Sequence, residues 1–279
     1  MMQNAALGIL VSLGGLAILA AIGLPIFAVQ FHRGGGHVSD RIRGMGGSRL
    51  LGLYLMEYGY WICRLPLRAA LRLGATPDFV TAFGLGLVLA ASVMLGLGWF
   101  AVGGWLFLLG CMFDTVDGML ARELGVCSDA GEYLDAIVDR YCDVAVCSGL
   151  AFYYRDRPWA LALVMAALLG SVMVSYNRSK AEALGVHDAP GWLMRRHERT
   201  IYMAFGIALA PLLAAAVEPH AVRPFYHLAL AACGAVAILG NIAALVLMFD
   251  VRGRLRAKAG AATVTAEPRP GAAENGTVA

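Results

Sequence analysis

Apolar runs of about twenty residues recur along almost the whole chain, and no other feature of the sequence restricts its fold as strongly. A helix needs about 20 predominantly apolar residues to cross a bilayer. Runs of that kind lie near 5–29, 77–98, 100–121, 133–154, 158–180, 200–217 and 225–249. Hydrophobic residues fill 59% of the 279 positions and charged residues 15%, against roughly half and a quarter in soluble domains. With a mean hydropathy of +0.69, lipid is the solvent for much of this sequence. The fold expected is an all-α integral membrane protein: a six-helix transmembrane bundle plus one extra N-terminal transmembrane helix and an interfacial amphipathic helix.

The first run has no basic stretch before it and no small-residue cleavage site, so residues 1–31 read as an anchor and not as a signal peptide. A basic, Gly-rich linker follows at 32–49. Residues 50–75 carry Arg64, Arg68 and Arg72 at helical spacing beside Tyr54, Tyr58, Tyr60 and Trp61. This pattern suits a helix lying in the headgroup layer. The six-helix membrane domain spans 76–252, and 253–279 reads as a basic and then disordered tail. Placing the N-terminus outside gathers most of the Arg and Lys residues on one face and leaves Arg155, Arg157 and Arg223 on the other. The richer face is therefore expected in the cytoplasm. Six cysteines without a CxxC pair read as small buried hydrophobes and not as a zinc or disulfide framework.

One segment carries chemistry. Asp114 and Asp117 stand three apart at the end of one run, and Asp135 and Asp139 stand four apart at the start of the next. Each spacing puts its pair on one helical face. The short link between the runs makes the two helices antiparallel neighbours, so the four carboxylates can share a cavity near the cytoplasmic surface. Such a set cannot stay ionised in a poorly hydrated site without compensation. Oxygen ligands select hard cations, Mg²⁺ or Mn²⁺, and four negative charges fit two of them, a recurrent clamp for displacement at phosphorus. Gly118 leaves room for a phosphate to approach the backbone, and Arg122, one turn on, can neutralise it. Eight specified residues at fixed spacing arise by chance at fewer than about one in a billion start positions.

The pattern DxxDGxxAR, then eight residues, then GxxxDxxxD resembles the signature of the CDP-alcohol phosphotransferase family, and Asp114, Asp117, Gly118, Ala121, Arg122, Gly131, Asp135 and Asp139 fill every position of it. The resemblance covers roughly residues 50–252. It implies a dimeric membrane transferase whose site opens to the cytoplasm of the cell (inner) membrane. In it Asp114, Asp117, Asp135 and Asp139 hold two Mg²⁺ or Mn²⁺ ions, and Asp139 is also the base that deprotonates the acceptor alcohol. It further implies CDP-diacylglycerol as donor and CMP as leaving group, with no nucleic acid as partner.

Two more stretches bear on the substrates. Thr76-Pro77-Asp78-Phe79-Val80-Thr81 is an ordinary helix start. It is also similar to the SPDxxT segment of bacterial phosphatidylinositol phosphate synthases, which assigns Asp78 and Thr81 to the CDP-lipid along with Gly118, Ala121, Arg122 and Gly131. The pattern SYxRxKAExxG, spanning Ser175 to Gly185 and followed by Glu198 and Arg199, is similar to the same group. Basic residues end cytoplasmic helix ends everywhere. Four of them near a metal site would nevertheless make a pocket for an acceptor that brings its own phosphate, here Arg178, Lys180, Arg196 and Arg199. Inositol 1-phosphate or a similar polyol phosphate is the acceptor this implies, with glycerol 3-phosphate the alternative. In one respect the chain departs from that group: its last run, Ala244 to Met248, lacks an internal basic residue. A transporter would place its carboxylates at mid-bilayer on broken helices, and a non-enzymatic metal or lipid-binding protein has no need of a base.

Overall fold

A computed structural model describes residues 2–33, 35, 52–186 and 196–266. The described chain is helical throughout. Helix α1 (Met2–Leu16) passes through a π-helical turn (Ala17–Gly23) into α2 (Leu24–Arg33); α3 is Gly52–Leu73, α4 Pro77–Gly96, α5 Phe100–Glu123, α6 Asp129–Tyr153 and α7 Pro158–Ala183. Then come α8 (Arg196–Ala208), α9 (Ala210–Val217) and α10 (His227–Ala266). The linker 36–49, the loop 187–195 and the tail from 267 lie outside the described residues.

Among the described residues five helices are long and apolar enough to cross a membrane: 6–33, α4, α5, α7 and α10. Two of the seven expected spans differ. The run 200–217 is not one helix: α8 and α9 meet at a 42° bend and together make a sixth candidate. Pro211 sits in the first turn of α9, where it cannot donate a backbone hydrogen bond to the preceding turn. The run 133–154 lies within α6, whose 25 residues are long enough to cross, but Asp139, Arg140 and Asp143 interrupt its apolar stretch. The last helix also runs further than the sequence suggested, to Ala266. Ala257, Ala259, Ala261 and Ala262 are strong helix formers and carry it past the expected boundary at 252.

Short turns make successive helices alternate in direction. One end of the bundle therefore collects the start of α4, the end of α5, the start of α6, the end of α7, the start of α8 and the last third of α10. This is the aspartate end. Three helix N-termini open here, and their partial positive charge suits phosphates. The turn between α5 and α6 is fixed by caps on both sides. Gly125 takes φ +68°, letting the Val126 N–H reach the Ala121 carbonyl at 2.9 Å, a Schellman closure. The Ser128 hydroxyl accepts from the Gly131 N–H at 3.2 Å and starts α6.

The core is packed through small residues, as helices without a hydrophobic drive between them require. A Cβ on Gly110 of α5 would stand 2.5 Å from Val88 Cγ2 of α4, and one on Gly149 of α6 would stand 2.3 Å from the Ser92 carbonyl of α4. The Ser92 hydroxyl also donates to the Ala145 carbonyl of α6 at 2.6 Å. Helix α4 is thus clamped against both α5 and α6, which pack little on each other. The expected antiparallel neighbours meet at the aspartate end only. Helix α3 buries Cys63 and Ala70, with Leu67 between them, against Val80, Val116 and Leu120, and leaves Arg64, Arg68 and Arg72 exposed. It has the two faces expected of residues 50–75.

The opposite end is closed by a polar clasp. Tyr153 and Tyr154 donate to the carbonyls of Pro224 and Phe225 at 2.7 and 2.8 Å. Arg157 donates to the carbonyls of Pro224 and Arg223 and lies 3.8 Å from the Phe225 ring centroid. Cys63, Cys147 and Cys233 are buried and Cys111 and Cys142 half-buried, as expected, while Cys127 is exposed in the turn after α5.

Candidate metal centre and substrate pocket

The end of α5 brings Asp114, and the first three turns of α6 bring Asp135 and Asp139, into one group whose carboxylate oxygens lie within 4.8 Å of one another. At that separation two like charges repel by about 3 kcal/mol at an effective dielectric of ~20. Asp139 is buried, at 5% exposure, so water does little to screen it. An all-oxygen donor set with this much crowded charge fits a hard divalent cation. Asp117, equally buried, lies close enough to feel the charges of Asp114 and Asp135, but its carboxylate is engaged elsewhere. Its Oδ2 is 2.5 Å from the Thr81 hydroxyl, and its Oδ1 accepts from the Gly118 N–H at 2.5 Å. The Thr81 hydroxyl, which also lies 3.1 Å from the Pro77 carbonyl, thus orients the Asp117 carboxylate across the α4–α5 contact.

The remaining signature residues surround this group. Above Gly118 a Cβ would stand 3.2 Å from Arg122 Nη2, so the guanidinium folds back over the bare backbone that the sequence reading left open for a phosphate. Gly131 forms part of the α6 cap, Ala121 accepts the Schellman bond, and Asp78 is exposed in the first turn of α4.

Two charged residues near the site were missed in the sequence. Arg140 places Nη2 3.3 Å from Asp139 Oδ2, a neighbouring cation that no motif contains. Asp143 continues the face of Asp135 and Asp139 by one more turn. It lines a small interior cavity of about 20 Å³ with Ser171 and Arg199, room for about one water, and feels the charges of Arg199 and Arg140. The spacing 135, 139, 143 was the available signal.

The basic residues separate into two groups. Arg178 and Lys180 are exposed at the end of α7. Arg199 is buried, at 3% exposure, and faces the bundle interior. Arg196 opens α8. The last run, Ala244 to Met248, has no internal basic residue, but α10 continues past it. Arg252 and Arg256 of α10 line a groove of about 380 Å³ together with Lys180 and Asn177 of α7. The last helix thus does bring basic residues to the end of α7. None of the four aspartates is among the described residues of that groove.

Residues 75–251 match the family model for CDP-alcohol phosphatidyltransferase, and the chain belongs to that family. It is a membrane-embedded transferase of phospholipid synthesis. The matched region starts after α1–α3 and so leaves the N-terminal span outside. The chain is 36% identical to a phosphatidylinositol phosphate synthase of Cutibacterium acnes over 157 residues, 54% of this chain and 75% of that one. Its fold is similar to that of the Mycobacterium tuberculosis phosphatidylinositol phosphate synthase with CDP-DAG bound, at a TM-score of 0.58 and 26% identity over 78% of this chain and 99% of that one. The same enzyme in complex with manganese and citrate gives a TM-score of 0.58 and 25% identity over 77% and 93%.

Proposed function

We propose that this chain transfers the phosphatidyl group of CDP-diacylglycerol to inositol 1-phosphate, releasing CMP, with two divalent cations, Mg²⁺ or Mn²⁺, at each site of a homodimer in the inner membrane. The observation that carries the reading is the carboxylate group within 4.8 Å at the bundle end where Arg178, Lys180, Arg199, Arg252 and Arg256 also lie. The excess of cations at that end supports a cytoplasmic site.

Asp114, Asp117, Asp135 and Asp139 would hold the cations, which when bound polarise the diphosphate and stabilise the charge on departing CMP. Arg122, folded over Gly118, supplies a further donor to the diphosphate. Asp139 takes the proton of the acceptor hydroxyl, whose oxygen forms a bond to the lipid-bearing phosphorus as the bond to the CMP oxygen breaks. Thr81 keeps Asp117 oriented. Asp78, Ala121 and Gly131 line the approach of the CDP headgroup. Arg178, Lys180, Arg196 and Arg199, with Arg252 added from α10, draw in the acceptor phosphate.

The test is CMP release by the purified chain with CDP-diacylglycerol and Mg²⁺ or Mn²⁺, supplying inositol 1-phosphate, glycerol 3-phosphate, inositol or serine in separate reactions. Release driven by inositol 1-phosphate is the result expected. Release driven by glycerol 3-phosphate or an unphosphorylated alcohol alone overturns the acceptor assignment.

A further inference from the structure

The N-terminal span is built into the bundle at the break between α8 and α9. A bend in a membrane helix strands backbone carbonyls that lipid cannot satisfy. Here the Leu212 N–H turns to the Leu209 carbonyl at 3.0 Å and away from the Ala208 carbonyl one residue earlier, its helical partner. The Ser12 hydroxyl of α1 donates to the Ala208 carbonyl at 2.6 Å, and both residues are fully buried. The fit around this contact is close. Gly8 of α1 lies over Pro211, where a Cβ would stand 3.4 Å from the Pro211 Cβ. On the other side, Gly104 of α5 lets the Ala208 backbone approach so closely that a Cβ there would fall 2.3 Å from the Ala208 nitrogen. The Tyr58 hydroxyl of α3 similarly takes the Leu19 carbonyl inside the π-helical turn, so the span is stitched to the bundle at two backbone irregularities.

We propose that Ser12 is a positioning residue: by capping the break it fixes the angle at which α8 leaves α9, and so where Arg199 stands opposite Asp143. Arg199 lies in the first turn of the same helix, nine residues before Ala208, and its burial beside Asp143 leaves it little freedom. The span would then act on the acceptor side of the reaction and leave the donor side alone. This rests on the assignment of Arg199 to the acceptor pocket made above.

The test compares the full chain in nanodiscs with Ser12→Ala and Ser12→Thr, reading hydrogen exchange over 196–213 and the KM of each substrate. Ser12→Ala is expected to speed exchange at the break and in the first two turns of α8. It should also raise the acceptor KM about fivefold, leaving the CDP-lipid KM unchanged, with Ser12→Thr close to the parent. Faster exchange confined to 206–213 with an unchanged acceptor KM would reduce Ser12 to a fold-stabilising contact, and unchanged exchange would remove the cap itself. A parent chain that releases no CMP with any phosphorylated alcohol would sink the acceptor reading, while the exchange pattern would still decide whether the cap reaches α8.

Discussion

Replacing Thr81 with valine removes one oxygen and little volume from a buried position. In the structure that oxygen is 2.5 Å from Asp117 Oδ2, and Thr81 and Asp117 are 6% and 5% exposed, so no water can take its place freely. A hydrogen bond to a charged group contributes about 1.5–3 kcal/mol, which at about 1.4 kcal/mol per tenfold corresponds to a factor of about 10 to 150. Because Thr81 touches Asp117, which the proposed function makes a metal ligand, the loss should fall on metal affinity, in line with the ~10–100-fold effects of partners behind metal ligands. The assay is CMP release titrated with Mg²⁺ or Mn²⁺ at saturating CDP-lipid. The half-saturating metal concentration should rise by about 10-fold or more in Thr81→Val and stay near the parent value in Thr81→Ser. If the metal titration is unmoved and the CDP-lipid KM rises instead, Thr81 is a nucleotide contact and the chain of reasoning through Asp117 is wrong.

Further outcomes can be stated briefly. Asp139→Asn should lower CMP release by at least about 100-fold at any metal concentration while CDP-lipid binding, followed by equilibrium binding, persists; near-normal turnover would remove Asp139 as base. Gly149→Ala forces a Cβ to within 2.3 Å of the Ser92 carbonyl, so α4 and α6 must part, at a cost of about 1–3 kcal/mol. A thermal melt in detergent should show the loss, and an unchanged midpoint would mean the helices can slide. At the clasp, Arg223 donates to Asp156 at 2.6 Å and holds that exposed carboxyl below its ordinary 3.8. A folded-state value below the unfolded one means the contact stabilises above the unfolded value and is lost as pH falls through the folded one. Hydrogen-exchange protection factors over 218–227, corrected for the intrinsic rate at each pH, should therefore stay flat from pH 7 to about 5 and fall only below about 4, and Asp156→Asn should abolish that acid fall.

The carboxylate group of Asp114, Asp135 and Asp139 was legible because its members are near neighbours in sequence, on two helices joined by a short capped turn, while Asp117, which the spacing placed with Asp114, turns its carboxylate to Thr81 and the Gly118 N–H. What was not legible depends on distant contacts. Thr81 reaches Asp117 across 36 positions through a glycine-lined helix contact that no local pattern encodes. Arg199 has the charge of a pocket residue, yet the fold turns it inward toward Asp143. The end of α10 was misplaced for a different reason. Its apolar run does stop near Met248, but helix formation follows propensity as well as hydropathy, and the good helix formers Arg252, Arg254, Leu255 and Arg256 continue the helix to meet the end of α7. The break at Leu209 had a local signal in Pro211, which a count of apolar residues passes over.

The two helices that carry the carboxylate group hardly touch, and a third lies between them. The aperture of the site is therefore a thickness: the girth of α4 where it bears on bare backbone at Gly110 and Gly149. The aspartates supply charge, while the gauge that spaces them is machined from residues with no side chain at all, some of them ten positions further along the same helix. A methyl group added there would act like a shim, widening the jaws of the site without touching a single ligand, and tuning which cation or headgroup fits could proceed entirely from that remote face.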